Sequence, residues 1–492
     1  MKDNRHIDLN AIAREAMKKY GFEYQFPEAV IREVNNLEEG DPALPPEDAR
    51  DLRSLLWSSI DNFDSMDLDQ LEYSESGAGG VIRVMVAIAD VDFFVRKGSR
   101  TDQFAARNGT SVYLGAETFP LLPERLSHGL SSLLPGRDRR AMVIEYTVLP
   151  NGDVRHNGIH RAIVNNKAKL VYEQVGGWLE GAMPLPQPIR EVPGLEEQVR
   201  LQAEAATRLR RRRMERGALD LETLEAEAVV EHGSVRDLVI QRQDLARQII
   251  EEFMVAANGT MVNLLGNAGV PMIQRVVRVP KRWDGIVETA ALYGVRLPEQ
   301  PDSKALSIFL DQRRAADPVR FPDLSLTIVK LMGPGEYVAF TPGDDAIGHF
   351  ALAVMDYTHS TAPNRRYVDI INQRLLKAVL DGKPAPYPAR ELDDLAAWMS
   401  DREKAAQKAE RFMRKVAAAV LLKGRIGESF DALVTGAAEK GTYVRLISPP
   451  AEGRVMEREK GLKVGQKVTV RLLRTDPYNG FVDFACIGRR KD

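Results

Sequence analysis

A short stretch over residues 58–73, SSIDNFDSMDLDQLEY, concentrates four acidic side chains in nine positions and contains no lysine or arginine. Two carboxylates about 4 Å apart repel each other by roughly 4 kcal/mol at the effective dielectric constant of a protein surface. Apolar residues surround the acids, with residues 55–57 before them and Leu68 and Leu71 among and after them, as in a chain that enters a core. Any fold of this chain must therefore leave these carboxylates in water or neutralise them with a cation. The four acids are Asp61, Asp64, Asp67 and Asp69.

Three kinds of structure could hold this acidic stretch. One is an exposed turn in which aspartates cap helices. A calcium loop of the EF-hand type fits poorly, because counting from Asp61 places Phe63 third and Met66 sixth, where the loop needs an oxygen ligand and a glycine. The third is a site for a hard cation such as magnesium or manganese, bound by oxygen atoms from a strand and the adjacent turn. Asp67 and Asp69 suit such a site, because residues two apart share one face of an extended segment.

Composition limits the class of protein. With 492 residues, 44% of them hydrophobic, the chain is long enough for roughly two to four domains. No apolar run approaches the length needed to span a bilayer, and the start, MKDNRHIDLN, lacks the apolar core of a signal peptide. Cys486 is the only cysteine, which excludes an internal disulfide and a thiolate-rich metal site. We therefore expect a cytoplasmic protein that is a monomer and has neither a membrane partner nor an obligate protein partner.

The charge is distributed unevenly along the chain. The formal net charge is −2, but from Gly424 to the end thirteen Lys and Arg face nine Asp and Glu, a local excess of four positive charges. Short alternating segments broken by glycines predict a small β-barrel over residues 423–492. A basic barrel on an acidic body would suit the binding of a polyanion.

The rest of the chain consists of a small helical module and a mixed body. Residues 1–37 contain two helical patterns, and the stretch EEGDPALPPED, residues 38–48, predicts a linker. We therefore expect an N-terminal unit over residues 1–47 and a body over residues 48–422. Within the body the patterns predict a strand, a hairpin and two long helices. These lie at residues 81–95, around Asn151 and Gly152, and at residues 193–217 and 244–266.

Five stretches, in order, resemble signatures of the ribonuclease II (RNB-domain) family of exoribonucleases. They are DLRSLLWSSIDNFDSMDLDQLEY, GTSVYLGAETFPLLPERLSHGLSSLLPG, AKLVYEQVGGWLEG, IIEEFMVAAN and YTHSTAPNRRYVDIINQRLLKA. The final segment, from Arg425, resembles the OB-fold RNA-binding domain that closes many family members. The resemblance implies a multidomain α+β fold with a mixed α/β RNB catalytic domain and a C-terminal OB-fold barrel. In place of the family's usual two cold-shock domains we expect a small N-terminal helical module of winged-helix or helix-turn-helix type.

The resemblance also implies an activity, the processive 3′-to-5′ hydrolysis of single-stranded RNA to nucleoside 5′-monophosphates by a metal-dependent mechanism. It assigns Asp61, Asp67 and Asp69 to Mg²⁺, with Mn²⁺ as an alternative, and makes Asp69 the essential carboxylate. Gln70 stands where the family has a fourth aspartate. Its amide oxygen can still bind a magnesium ion, but it brings no negative charge.

Further residues are expected, from the same resemblance, to act on the RNA itself. Arg365 and Arg366 would be catalytic residues, because a guanidinium group can reach two phosphate oxygens at once. Tyr113 would stack on the terminal base, a contact worth roughly 1–3 kcal/mol. Tyr172 would line the same channel.

Three assignments stay open at the level of the sequence. Glu251 or Glu252 would accept hydrogen bonds from the last ribose, whose 2′-hydroxyl distinguishes RNA from DNA, or would be a paired helix acid. The arginines of residues 208–213 would form an RNA-binding patch or a solvated helix end. Gln70 leaves room for a second function, a catalytically impaired RNA-binding protein of the same fold.

Overall fold

The structure is a computed structural model that describes residues 7–38, 49–222, 226–231, 234–240, 243–438 and 441–489. The linker predicted over residues 38–48 lies, apart from Glu38, outside the described residues. The helices are α1 (Leu9–Lys19), α2 (Glu28–Asn35), α3 (Arg100–Asn108), α4 (Tyr172–Leu179), α5 (Gln187–Glu191), α6 (Leu195–Glu215), α7 (Leu245–Asn267), α8 (Trp283–Ala291), α9 (Ser303–Ala316), α10 (Phe321–Met332), α11 (Tyr367–Leu380) and α12 (Ala389–Leu422). The strands are β1 (Arg50–Asp51), β2 (Ser58–Asp61), β3 (Gln70–Ser76), β4 (Ile82–Ala89), β5 (Val112–Tyr113), β6 (Thr118–Phe119), β7 (Asp138–Val148), β8 (Val154–Asn165), β9 (Ala168–Val171), β10 (Ala226–Glu231), β11 (Ser234–Ile240), β12 (Met272–Val276), β13 (Glu336–Phe340), β14 (Ser429–Ala438), β15 (Gly441–Leu446), β16 (Glu452–Glu457), β17 (Lys467–Asp476) and β18 (Phe481–Arg489).

A seven-stranded sheet forms the centre of the body, in the order β1-β8-β7-β4-β3-β2-β9. Strand β4, IRVMVAIA, is buried on both faces except at Arg83, as expected for a central strand rich in Val and Ile. The predicted hairpin is confirmed, since β7 and β8 pair antiparallel on either side of the turn at Asn151 and Gly152. Gly152 has a φ of +85°, and a Cβ there would lie 2.2 Å from the carbonyl oxygen of Arg208. Only glycine therefore permits both this turn and the close approach of α6.

The two predicted long helices are confirmed as α6 and α7, and they pack on the sheet. Helix α7 begins where the Asp244 side chain accepts a hydrogen bond of 2.8 Å from the backbone N–H of Arg247. Ile249, Phe253 and Ala257 recur at intervals of four residues and are fully buried. Burying a large apolar side chain contributes about 1.5–3 kcal/mol, so this face fixes the helix to the sheet. Helix α7 is thereby held in a defined orientation beside residues 62–69, the segment between β2 and β3 that we call the acidic loop.

Helix α12 leads from the body to the C-terminal barrel. It is 34 residues long, and the strands beyond it close in the order β14-β15-β16-β18-β17 around fully buried residues such as Val444, Val470 and Phe484. The predicted barrel is confirmed. Helices α8, α9 and α10 form a separate small cluster around Ile286 and Phe309. None of the helices in the described ranges combines the length and the apolar character that a bilayer crossing requires.

The N-terminal helices are attached to the body by specific hydrogen bonds. Arg402 of α12 donates to the carbonyl oxygen of Gly21 at 3.2 Å, and the Glu33 carboxylate of α2 accepts bonds from the N–H and the hydroxyl of Thr101 at 3.0 and 2.6 Å. Residues 7–38 form two helices and no strand, so this described segment contains no wing. The predicted multidomain α+β architecture, with N-terminal helices and an OB-like barrel at the end, is confirmed.

Candidate active site

The four residues predicted to bind a metal lie where β2 passes into β3. Asp61 ends β2, Asp67 and Asp69 lie in the connecting loop, and Gln70 begins β3. The sequence predicted an extended segment for Asp67 and Asp69, whereas the structure places both in a loop. Their common orientation therefore depends on what holds this loop, and not on the alternation of a strand.

Two contacts from the body hold the loop. The N–H of Leu68 donates to Ser132 Oγ at 3.0 Å, and the Lys169 ammonium donates to the carbonyl oxygens of Phe63 and Ser65 at 2.8 and 2.5 Å. Lys169 belongs to β9, the strand that pairs in parallel with β2. The acidic loop is thus fastened to the sheet at both of its ends.

The acidic residues line a cavity of about 700 Å³. The four predicted metal ligands share this cavity with Tyr113, Tyr172 and Arg365. Arg247 of α7 and Arg414 of α12 line the same cavity, although the sequence analysis did not single them out. Residues that lie far apart in the sequence therefore converge on one space.

Asp61 is held in a position that disfavours its charge. Burial, and after it the charge of Asp67, raises the pKa of Asp61 to about 7. Lys169, Arg365 and a hydrogen bond from Gln70 act in the opposite direction. The Oδ2 atom of Asp61 is buried without a hydrogen-bond partner among the described residues. Leaving such an atom unpaired costs about 1–3 kcal/mol, so the position favours a ligand that can bind it.

Asp69 is more deeply buried, with 3% of its surface exposed. Burial raises the pKa of Asp69 well above its ordinary value, and the Arg365 guanidinium opposes this shift. Its Oδ1 atom accepts a hydrogen bond of 2.8 Å from the backbone N–H of Asn364, and its Oδ2 atom lies 3.7 Å from Arg365 Nε. The segment before α11 therefore contributes both a backbone donor and a cation to this carboxylate.

A third buried acid, Glu72, lies beneath Asp61 on β3. Both of its carboxylate oxygens are buried and have no hydrogen-bond partner within the described part of the chain. Burial, followed by the charge of Asp61, raises the pKa of Glu72 well above its ordinary value. The sequence analysis did not single out Glu72, because an acid on a strand does not reveal which face it occupies.

The donor set fits a hard divalent cation. Asp61, Asp67, Asp69 and Gln70 all offer oxygen, the atom that magnesium and manganese prefer, and Asp61 Oδ2 has no other partner among the residues described. No group of three or more His, Cys, Asp or Glu side chains in the described ranges is placed so that it could hold a metal ion. A magnesium ion at this position would therefore be bound by one or two of the carboxylates, with waters and phosphate oxygens of a substrate as its other ligands.

The two predicted arginines have different surroundings. Arg365 is 45% exposed, faces the cavity and approaches Asp69, while its backbone carbonyl accepts a hydrogen bond of 2.9 Å from the N–H of Ser111. Arg366 instead makes two hydrogen bonds, of 2.9 and 2.8 Å, to Asp369, a residue with no exposed surface. Arg366 is not among the residues that line the cavity, and its pairing with Asp369 holds the loop before α11. The catalytic role expected for Arg366 stays a prediction.

The two tyrosines predicted to contact RNA line the cavity. Tyr113 is 42% exposed, and its hydroxyl lies 3.5 Å from Asp67 Oδ2. The guanidinium carbon of Arg247 lies 4.4 Å from the centre of the Tyr172 ring, and Arg247 also forms an ion pair of 2.7 Å with Glu173. The stack and the ion pair together fix the guanidinium of Arg247 at the wall of the cavity. Arg247, Ile250 and Met254 all line the cavity and follow one another on α7 at spacings of three and four residues. This helical spacing was the sequence signal that could have identified Arg247 as a cavity residue.

Glu251 and Glu252 do not reach the acidic cavity. Both pair with Arg213 of α6, at 2.7 and 2.6 Å, and Glu252 is 2% exposed. Burial raises the pKa of Glu252, and Arg213 opposes this shift. Glu251 lines a different cavity, of about 1040 Å³, between α6, α7 and the barrel. The structure therefore favours the paired helix acid over the ribose contact expected from the resemblance.

The arginine run on α6 is largely neutralised by its neighbours. Arg210 pairs with Asp220 at 2.7 Å, Arg212 with Asp153 at 2.8 Å, and Arg208 with Glu204. Together with the pairs of Arg213, these contacts leave little uncompensated charge in the run. Arg211, the fifth arginine of the run, is exposed and donates to the carbonyl oxygen of Pro150 at 3.0 Å, so the run carries less open charge than its sequence indicates.

The fold and the site define an RNB-domain protein, and the chain belongs to this family. The RNB domain matches residues 49–382, and an RNase II-type exonuclease C-terminal S1 domain matches residues 428–486. The resemblance inferred from the five motifs is thereby confirmed.

Individual relatives are named ribonuclease R. The curated protein of this name from Aquifex aeolicus is 32% identical over 449 residues, which cover 89% of this chain and 62% of the relative, so the chain spans less than two thirds of that relative's length. Among solved structures, the apo form of Mycoplasma genitalium RNase R matches with a TM-score of 0.87 at 23% identity, over 98% of this chain and 78% of that chain. Yeast Ssd1, described as a pseudonuclease, matches with a TM-score of 0.69 at 16% identity, over 94% of this chain and 58% of that chain. These structural matches establish the fold.

Proposed function

We propose that this protein is a metal-dependent exoribonuclease that hydrolyses single-stranded RNA processively from its 3′ end and releases nucleoside 5′-monophosphates. The observation that carries the proposal is the convergence of Asp61, Asp69 and Arg365 on one cavity in a chain of the RNB-domain family. Two buried carboxylates that lack sufficient positive charge are costly for a fold, and their retention is understood if they hold a cation.

The side chains divide the work by charge. Asp69, buried and held by the Asn364 N–H, is the essential carboxylate. Arg365 is close enough to reach a phosphate bound at Asp69, and its guanidinium meets the negative charge that develops on the phosphate oxygens. Asp61, Asp67, Asp69 and the amide oxygen of Gln70 would hold Mg²⁺ or Mn²⁺. When bound, such an ion supplies a Lewis acid and a water nucleophile at neutral pH.

The same cavity offers contacts for the end of an RNA strand. Tyr113 and Tyr172 present aromatic rings on which bases can stack without regard to sequence. Single-stranded RNA is accordingly the proposed partner, and Mycoplasma genitalium RNase R has been solved with ribose methylated single-stranded RNA. We place the protein in the cytoplasm, because a chain with Cys486 as its single cysteine has no internal disulfide to maintain, as is usual for proteins of a reducing compartment.

Gln70 favours a second candidate, an RNA-binding protein of the same fold with impaired catalysis. Gln70 donates a hydrogen bond to Asp61 but brings no charge to the cation site. The fold itself does not exclude this function, since it is shared with the pseudonuclease Ssd1. The two candidates differ in whether bound RNA is shortened.

A shortening assay separates the two candidates. The purified protein is incubated with 5′-labelled single-stranded RNA in Mg²⁺ or in chelator, together with the Asp69→Asn variant. We expect stepwise shortening from the 3′ end in Mg²⁺ alone, and at least about 100-fold slower shortening by Asp69→Asn with RNA binding retained. Asp394→Asn is the matched control, because it makes the same chemical change at an exposed position of α12 and should act as wild type.

Binding without shortening by the wild-type chain would contradict the nuclease proposal. A Gln70→Asp variant then decides whether the missing charge is the cause. Shortening gained by Gln70→Asp would establish the second candidate, a binding protein whose catalysis was lost at this position.

A further inference from the structure

A row of positive side chains follows one face of α12. Lys404, Lys408, Arg411 and Lys415 are separated by four, three and four residues, which places them on a single helix face about 16 Å long. Lys408, Arg411 and Lys415 are exposed, and Lys404 is partly exposed. We call these four residues the α12 stripe.

The α12 stripe is open in a way that the arginine run of α6 is not. Lys404 makes one long ion pair, of 3.6 Å, with Asp401. Lys408, Arg411 and Lys415 have no ion pair or hydrogen bond with any residue that the structure describes. Three uncompensated cations on one surface attract a polyanion and release its counterions when it binds.

The stripe begins at the rim of the acidic cavity. Arg414, which lines the cavity, lies three residues after Arg411 and is therefore its neighbour on the helix surface. Ala406 and Ala409 cover the opposite, buried side of α12. A strand that leaves the cavity past Arg414 therefore meets the stripe directly.

Aromatic side chains border the stripe on its other side. The Lys19 ammonium of α1 lies 4.9 Å from the centre of the Phe412 ring. Phe412 shares a surface cleft of about 480 Å³ with Tyr478 of the barrel, which is 61% exposed. Tyr478 is exposed and Phe412 is half-buried, and cations beside aromatic rings are the combination that binds single-stranded nucleic acid without sequence preference.

We propose that the α12 stripe, with Tyr478 and Phe412 at its edge, binds the part of a single-stranded RNA that has not yet entered the cavity. The proposal rests on the proposed function, because that function places the 3′ end of the RNA at Asp69. The cations contact successive phosphates outside the cavity, and the rings stack on the bases between them. The stripe thereby keeps a long substrate bound between one cleavage and the next.

The decisive measurement compares a long with a short RNA. Binding of 5′-labelled tetra-adenylate and of a long oligoadenylate is measured by fluorescence anisotropy on the full chain, in the Asp69→Asn background so that nothing is degraded. The test variant is K408Q/R411Q/K415Q. The matched control is R32Q/R200Q/K383Q, which removes three exposed cations elsewhere, each from a surface ion pair, and changes the formal charge by the same amount.

We expect the test variant to bind the long RNA roughly 10-fold more weakly at low salt and the tetra-adenylate unchanged. The slope of log K against log salt should decrease by about 2, since each phosphate contact on a single strand contributes about 0.7. Tyr478→Ala should weaken binding of the long RNA by roughly fivefold without changing the slope of log K against log salt, because stacking releases no counterions. The control variant should bind both RNAs as the parent does.

Two results would overturn the proposal. Affinity for the long RNA within twofold of the control variant would remove the stripe as a binding surface. An equal loss for the short RNA would mean that the substitutions disturb the cavity itself. The outcome is independent of catalysis, because a selective loss for the long RNA supports the stripe even if the wild-type chain proves unable to shorten RNA.

Discussion

Two groups of buried or partly buried acids in the body differ in how their charge is balanced. On α7, Glu251 and Glu252 share the guanidinium of Arg213 at 2.7 and 2.6 Å. In the cavity, Asp69 has its nearest guanidinium at 3.7 Å, and Asp61 has a buried oxygen without a hydrogen-bond partner among the described residues. Both groups lie beside the same sheet, so burial alone does not distinguish them.

The difference teaches which acids serve the fold and which serve a ligand. A buried acid with a close cation is part of the packing, and removing its partner leaves an unbalanced charge. A buried acid without one is a cost that the fold alone does not explain, and such groups mark functional sites. Substitutions at Glu252 and its partner should therefore change stability, whereas substitutions at the cavity should change chemistry or metal binding.

The largest expected effect is a loss of stability when the ion pair between Arg213 and Glu252 is broken. Arg213→Met should lower the free energy of unfolding by roughly 3–5 kcal/mol, because Glu252 would stay buried with only the more distant Arg210, at 3.8 Å, as a cation. The double variant R213M/E252M should recover most of this loss, since apolar side chains of similar volume often replace a buried ion pair at little cost. Urea unfolding of the two variants and the wild type measures the loss and its recovery. A double variant no more stable than the single one would contradict the view that Arg213 balances the charge of Glu252.

The next largest effect is a loss of catalysis when Arg365, which lies 3.7 Å from Asp69, is truncated. Arg365→Ala should reduce the rate of RNA shortening by about 100- to 1000-fold with a normal unfolding midpoint, because it removes a donor aimed at the phosphate. Arg366→Ala is the neighbouring control, and it should lower the unfolding midpoint because Asp369 loses its partner. If both variants lost stability to the same degree, Arg365 would be an arginine that stabilises the fold, as Arg213 is.

A smaller effect concerns pH. The pKa of Asp61 is about 7 in the folded chain and near 3.8 when unfolded, so between these values the folded state holds a proton that the unfolded state has lost. In chelator, stability should therefore fall as pH rises through this window, and Asp61→Asn should remove a penalty on the order of 4 kcal/mol above about pH 7. Unfolding midpoints of both proteins at about pH 5 and about pH 8 measure this difference.

Magnesium provides the control for the pH experiment. Added at about pH 8, it should raise the unfolding midpoint of the wild type more than that of Asp61→Asn, because the ion binds the ionised carboxylate. Identical pH profiles for the two proteins would show that Asp61 is not the uncompensated acid.

The smallest expected effect is at Arg247, the arginine of α7 that lines the cavity and was not identified from the sequence. Arg247→Lys should raise KM for RNA several-fold and leave kcat nearly unchanged, because lysine keeps the charge but loses the planar stack on Tyr172. Arg200→Lys is matched to it, since Arg200 lies 4.6 Å over Trp178 and pairs with Glu196 outside the cavity. Steady-state kinetics of the two variants compare them, and an equal rise in KM would remove Arg247 from substrate binding.

Several features of this protein were predictable from the sequence because they depend on local order. The hairpin at Asn151 and Gly152 follows from turn chemistry, α7 from its helical period, and the barrel from short alternating segments between glycines. The acidic stretch predicted a cation site, because four like charges among apolar residues must be either solvated by water or neutralised by a cation. These inferences needed only neighbours in the chain.

Adjacent residues with equal chemistry were not distinguishable in this way. Arg365 and Arg366 carry the same group, yet the backbone turns one toward the cavity and the other toward Asp369. Likewise, the densest arginine run lies on α6 and is mostly balanced by acids from elsewhere, whereas the four cations of the α12 stripe are spread over twelve positions. Composition measures charge but not its compensation, which comes from residues distant in sequence.

The sequence by itself determined the elements, the family and the chemical types gathered at the site, because these follow from residue order and spacing. Only the tertiary structure decided which acids keep their charge unbalanced, which guanidinium faces the cavity and which cations remain open to a ligand. The physical reason is that burial and the distance to the nearest opposite charge fix these properties, and both are set by contacts between segments that the chain order does not reveal.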